Sequence, residues 1–127
     1  MENNATCEFL ELLHFFGKKW SVVLLYKLAE KPNSFNDLKT ISKRVISPIL
    51  LSERLKAFCE FGLAEKRFYK DRYVYFITDE GRSLSKFLKK FKSWANEHNY
   101  NTNSMCYEKK CCCECLFGGP VMVWKKS

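Results

Sequence analysis

"SPILLSERLKAFCEFGLAEKRFYKDRYVYFIT", residues 47–78, changes rhythm at a glycine. Ser47-Pro48 is a strong helix start, a capping hydroxyl followed by proline at the first helical position. Leu51, Leu55 and Phe58 then recur on one face, with Ile49, Ser52, Glu53 and Lys56 on the other. The spacing predicts a helix to about Phe61, stopped by Gly62. After the glycine, strands of about Ala64 to Tyr69 and Tyr73 to Ile77 flank a charged Lys70-Asp71-Arg72 tip. Two strands alone are marginal in water, so this hairpin must lean on the helices before it.

Upstream, Ser34 is placed to cap a short helix from Phe35 to about Ile41, with Phe35, Leu38 and Ile41 inward. Lys43 and Arg44 lie in the basic turn between it and Ser47. Two helices, a short turn, a serine cap and then a hairpin form the order of a winged helix-turn-helix. A core helix is expected from about Lys19 to Glu30, with Trp20, Val23, Leu24 and Leu28 as its main stripe. Before it, Phe9, Leu12, Leu13 and Phe16 repeat at helical spacing from Cys7, with Leu10 and Phe15 as a second apolar edge, up to Gly17. Downstream, Thr78 caps a last helix whose stripe is Leu84, Phe87, Leu88, Phe91, Trp94 and Ala95. That helix has little of its own domain left to cover. It reads as half of a dimer interface, paired with the first helix through Phe9, Leu13, Phe16, Leu84, Phe87, Leu88, Phe91 and Trp94; packing on its own domain is the alternative.

The fold expected is therefore mainly α with a small β-hairpin, over residues 1–100, followed by a cysteine-rich tail, 101–127. A chain of 127 residues with 46% hydrophobic content can bury a core, which argues against overall disorder. Its net charge of +8 points to an anionic partner, nucleic acid before membrane surface. No basic segment precedes the first apolar run, and no stretch is long enough to span a bilayer. The expected compartment is the cytoplasm, with no membrane partner, and there the seven cysteines suit thiols, sensors or metal ligands better than a disulfide framework.

Several landmarks form one ordered pattern: Gly17-Lys18-Lys19-Trp20; Ser34-Phe35-Asn36-Asp37-Leu38; Ile46-Ser47-Pro48 with Leu51-Ser52-Glu53-Arg54-Leu55-Lys56; Gly62-Leu63-Ala64; and Tyr75-Phe76-Ile77-Thr78-Asp79-Glu80-Gly81-Arg82-Ser83-Leu84. Their order and spacing over about residues 7 to 96 closely resemble the HxlR family of winged-helix transcriptional regulators, within the wider MarR-like group. The resemblance implies a homodimer on a near-palindromic operator, with the first and last helices at the dimer interface. It also draws attention to Cys7, because some members carry an oxidant- or electrophile-sensing cysteine just before the first helix. The chain departs from the family in having Asn36 after Phe35 where an arginine is usual, and in having no proline before the returning strand of the wing.

In such a fold the helix after Ser47 enters the major groove. Ile49 is suited to a thymine methyl, Ser52 to donating or accepting, and Lys56 to a guanine edge or a phosphate; Glu53 could accept from a cytosine amino group, though an acid there more often guards against nonspecific binding or pairs with a lysine. Arg54 sits on the flank, suited to a phosphate or an internal ion pair, and Ser47 could offer its N–H to a phosphate. Lys43 and Arg44 should lie near the backbone, with Lys70 and Arg72 at the minor groove or its phosphates. For each of these side chains alone, solvated surface charge is an equal reading. Cys59 reads as a small core residue.

Cys106, Cys111, Cys112, Cys113 and Cys115 supply thiolates for zinc or another thiophilic metal, but lack paired C-x2-C knuckles. Metal site, redox cluster and no specific site all stay open. His14 and His98 lie far apart and no nucleophile–base or metal-hydrolase motif occurs, so the reading is a DNA-binding regulator and not an enzyme. The alternative is a cysteine-based redox or metal-binding protein that uses the winged helix for protein contacts.

Overall fold

The computed structural model describes residues 7–43 and 45–100. In chain order it contains α1 (Glu8–Phe16), α2 (Ser21–Glu30), β1 (Asn33–Ser34), α3 (Phe35–Ser42), α4 (Pro48–Glu60), β2 (Ala64–Tyr69), β3 (Arg72–Ile77) and α5 (Asp79–Glu97). The expected winged helix-turn-helix is present. Its sheet, however, has three antiparallel strands in the order β1-β3-β2, because Asn33 and Ser34 pair with Tyr75 and Val74.

Each hydroxyl cap read from the sequence is made. Ser34 Oγ accepts from Asp37 N at 3.0 Å, while Asp37 Oδ2 accepts from Ser34 N at 3.0 Å, a reciprocal capping box. Ser47 Oγ accepts from Leu50 N at 3.1 Å, with Pro48 at the first helical position of α4. The expected start of α2 at Lys19 is corrected to Ser21. Trp20 has φ 76°, a left-handed conformation that helical residues do not adopt, so Gly17 to Trp20 form a turn. Buried Ser21 donates Oγ–H to Phe15 O at 2.9 Å and ties that turn to the end of α1. β3 starts at Arg72, not at Tyr73, leaving only Lys70 and Asp71 in the hairpin turn.

The core lies where α2, α3 and α4 meet the base of the hairpin. Leu24, Leu25, Leu28, Leu38, Leu51, Leu55 and Phe58 are fully buried. Each such side chain contributes about 1.5–3 kcal/mol relative to exposure. Of the apolar residues of α1, Phe15 enters this core, edge-on to Phe58 at 5.4 Å. Helical spacing puts Phe15 on the secondary edge of α1, and the structure makes it the anchor. α5 packs along α2, where Arg82 Nη1 donates to Ala29 O at 3.3 Å.

The hairpin and α5 are pinned at one place. Thr78 Oγ1 accepts from Gly81 N at 3.0 Å and donates to Gly62 O at 2.7 Å, and Thr78 N donates to Leu63 O at 3.0 Å. Gly81 is buried against this corner, and a Cβ there would run into the Leu63 carbonyl. Among the described residues no helix is long and apolar enough to cross a membrane.

Candidate nucleic-acid interface

α4 divides sharply across its axis. Leu51, Leu55 and Phe58 are buried, whereas Ile49, Ser52, Glu53 and Lys56 point away from the core and are exposed. Ile49 is 74% exposed, an apolar side chain that the protomer leaves in water. Ser47 and Lys43 are also exposed; Arg44 lies outside the described residues. Arg54 is half-buried, and its Nε donates to Lys19 O at 3.0 Å, tying α4 to the turn before α2. That bond, rather than an ion pair, is what the structure gives Arg54.

The hairpin stands beside this face. Lys70 and Asp71, at φ 50° and 66°, make a tight turn in the left-handed region, which suits the twist of paired strands. The proline absent from this turn is thus replaced by two left-handed residues. The Lys70 ammonium rests 5.2 Å from the Tyr69 ring centre. Arg72 Nη2 lies 3.8 Å from Asp37 Oδ2, so the wing touches the start of α3. The Asp37 carboxyl is held below the usual carboxylate range, chiefly by the Ser34 backbone N–H, with the Ser34 hydroxyl, Arg72 and Lys31 adding to it.

Between wing, α3 and α4 lies an open hollow of about 420 Å³, bounded by Asn36, Ser52, Lys66, Arg72, Tyr73 and Tyr75, with Ser34 and Phe35 at its back. Asn36, Lys66 and Tyr73 are not candidates on sequence grounds. Strand alternation could have found the last two, since Lys66 faces Tyr75 across the hairpin and Phe68 faces Tyr73. The hollow can take an anionic, partly apolar ligand surface, with Lys66 and Arg72 for charge, Asn36 and Ser52 for hydrogen bonds, and two tyrosines for contact.

On another side, α1 and α5 enclose an apolar groove of about 520 Å³ lined by Phe9, Leu13, Phe16, Leu84, Phe87, Leu88 and Phe91, with Leu12, Val22 and Tyr26 on its floor. Trp94, in the same stripe by sequence spacing, stacks on His98 at 4.5 Å and on Tyr100 at 5.6 Å. Cys7 is exposed before α1, beside a hollow lined by Leu10, Glu11, His14, Lys18 and Phe61. Cys59 is half-buried in α4, and burial pushes its thiol up, which suppresses thiolate at neutral pH. The tail cysteines Cys106, Cys111, Cys112, Cys113 and Cys115 lie outside the described residues. Among the described residues, no group of three or more histidine, cysteine or acidic side chains is placed to hold a metal.

The sequence pattern of the HxlR-like helix-turn-helix family matches residues 15–103. An uncharacterised HTH-type transcriptional regulator, YdeP of Bacillus subtilis (strain 168), is 25% identical over 95 residues, covering 72% of this chain and 73% of that protein. Among solved structures, the reduced form of the transcriptional regulator YodB from Bacillus subtilis has a similar fold. The TM-score is 0.67 at 19% identity, over 79% of this chain and all of that one. A possible HxlR family transcriptional factor from Thermoplasma volcanium GSS1 gives a TM-score of 0.58 at 27% identity, over 71% of this chain and 83% of the other.

Proposed function

The chain belongs to the HxlR-like helix-turn-helix family of transcriptional regulators, and on that premise we propose that it binds duplex DNA sequence-specifically as a homodimer in the cytoplasm. One observation carries the reading: the polar face of α4 lies open beside a cation-bearing hairpin, with Ile49, Ser52, Glu53 and Lys56 on the helix and Lys70 and Arg72 on the wing. α4 reads base edges, the wing holds the flanking strand, and Lys43 and Arg44 neutralise phosphates before the reading helix. Two copies joined through the α1/α5 groove present two reading helices to half-sites about one helical turn, ~34 Å, apart.

The test is a salt titration of binding to an operator duplex selected from random sequence. The double variant Lys70→Ala, Arg72→Ala is expected to weaken binding to all sequences and to flatten the slope of log K against log salt by up to ~2. An unchanged slope would remove the wing from the interface.

Control by thiol chemistry or by metal is the second part of the proposal. Its support is the exposed Cys7 just ahead of α1, one of the two helices proposed to join the subunits, together with the five clustered tail cysteines as ligands for zinc or another thiophilic metal. Metal content of protein purified under reducing conditions, and the response of DNA affinity to oxidant, test these separately.

A further inference from the structure

The wing carries more exposed aromatic surface than its lysines and arginines require. Phe68 is 63% exposed, Tyr73 56% and Tyr69 52%. The register sorts them onto two faces. Lys66 pairs with Tyr75 and Phe68 with Tyr73, and residues opposed across a ladder share a face. Lys66, Tyr73 and Tyr75 border the hollow that also contains Ser52 of α4, so this face looks toward the reading helix. Phe68 meets Tyr73 edge-on at 5.2 Å and extends the same surface toward the tip. Tyr69 lies on the opposite face with Arg67 and Phe76, where Arg67 is already tied to Glu65 and sits 4.9 Å from the Phe76 ring centre.

The surroundings of the Phe68–Tyr73 pair define what can cover it. The Lys66 ammonium stands 5.0 Å from the Tyr73 ring centre and 5.9 Å from that of Tyr75; Arg72, opposed to Tyr69 in the ladder, reaches the same hollow beside Asp37. An apolar protein surface seated on the rings would strip water from the Lys66 ammonium and leave it unmatched. A nucleic-acid strand alternates apolar sugar with anionic phosphate, and so matches rings set among cations. We propose that Phe68 and Tyr73 form an uncharged contact of the wing with DNA, packing on the deoxyriboses that border the sequence read by α4. The inference rests on the proposed seating of a duplex against α4, and adds to it residues and a kind of energy that the charged contacts do not supply.

The two kinds of contact differ in their response to salt. A cation that replaces a counterion changes the slope of log K against log salt, whereas an apolar contact releases no counterion and shifts the line without tilting it. Phe68→Ala is therefore expected to lower affinity about tenfold at every salt concentration, parallel to the wild-type line. Tyr69→Ala, on the far face, is expected to stay closer to wild type than Phe68→Ala, any loss coming through the Lys70 and Arg72 side chains it supports and therefore tilting the line. A Phe68→Ala line that coincides with wild type, or Phe68→Ala and Tyr69→Ala lines lowered equally, overturns the inference. Ultraviolet crosslinking of unmutated protein to the selected duplex covers the case of a variant that misfolds. Adducts at Phe68 or Tyr73 support the proposal, and adducts at Tyr69 alone overturn it. Wild-type protein that binds no duplex at any salt removes the DNA reading and this inference with it; wild-type binding with an unaltered Phe68→Ala line removes only the inference.

Discussion

α4 and α5 each turn one face into the protomer and one face out, yet their outer faces are opposites. That of α4 is serine, glutamate and lysine around a single isoleucine; that of α5 carries, beside exposed lysines, an apolar groove of phenylalanine and leucine shared with α1. Neither face is explained by the protomer's own core. A polar outer face suits a wet, charged partner that must be released, and an apolar one suits a dry, persistent contact. On this contrast rests the assignment of DNA to α4 and of a second subunit to α5.

The contrast can be attacked from both ends. Phe91→Asp puts a charge into the α1/α5 groove and is expected to give monomers by sedimentation. With only one half-site engaged at a time, operator affinity should fall at least about 100-fold. A variant that stays dimeric moves the subunit interface elsewhere. At the corner where the two regions meet, Gly81→Ala is expected to cost about 1–3 kcal/mol in urea denaturation, because its methyl group meets the Leu63 carbonyl. On the DNA side, Ser34→Ala removes half of the α3 capping box and should cost ~1 kcal/mol.

The partner in that box adds a dependence on pH. The folded-state pKa of Asp37 is lowered, so its contribution is fully present above the ordinary carboxylate value of about 3.9 and is lost as pH falls through the lower folded value. Asp37→Asn should therefore flatten the acid side of a melting-temperature profile. The smallest effect belongs to the tip. Asp71→Gly relieves left-handed strain of ~1–2 kcal/mol but frees the unfolded chain by ~0.4–1 kcal/mol, so stability should rise by under ~1 kcal/mol. Unchanged or lowered stability would show that Asp71 makes a compensating local interaction.

The parts of the fold legible in the sequence were those governed by neighbours a few residues apart. Ser34, Ser47 and Thr78 each cap the helix that begins after them, Gly62 ends the helix before it, and Leu51, Leu55 and Phe58 mark one side of one helix. The features that escaped were decided over distance. β1 is only two residues long, too short for any periodicity, and exists because β3 passes beside it. Trp20 heads the apolar stripe in the sequence, but in the connection from α1 to α2 it takes up a left-handed turn instead. Within the candidate interface, the exposed side of α4 was legible from spacing alone. The link from Arg72 to Asp37 joins residues far apart in the chain, and the place of Lys66 beside Ser52 depends on how the sheet leans on α4. Neither has a local signature.

The Thr78 corner has a mechanical consequence. α5 is a rod of 19 residues, about 28 Å long, and it is anchored at its N-terminal end to the root of the hairpin. In the proposed dimer, a swing of one subunit against the other would load this rod, which is held both at that anchor and along α2. The hairpin shares the anchor, so it would be carried along like the short arm of a lever whose long arm lies between the subunits. On the proposed reading, a chemical event that altered how two copies meet would reach the wing through this shared corner.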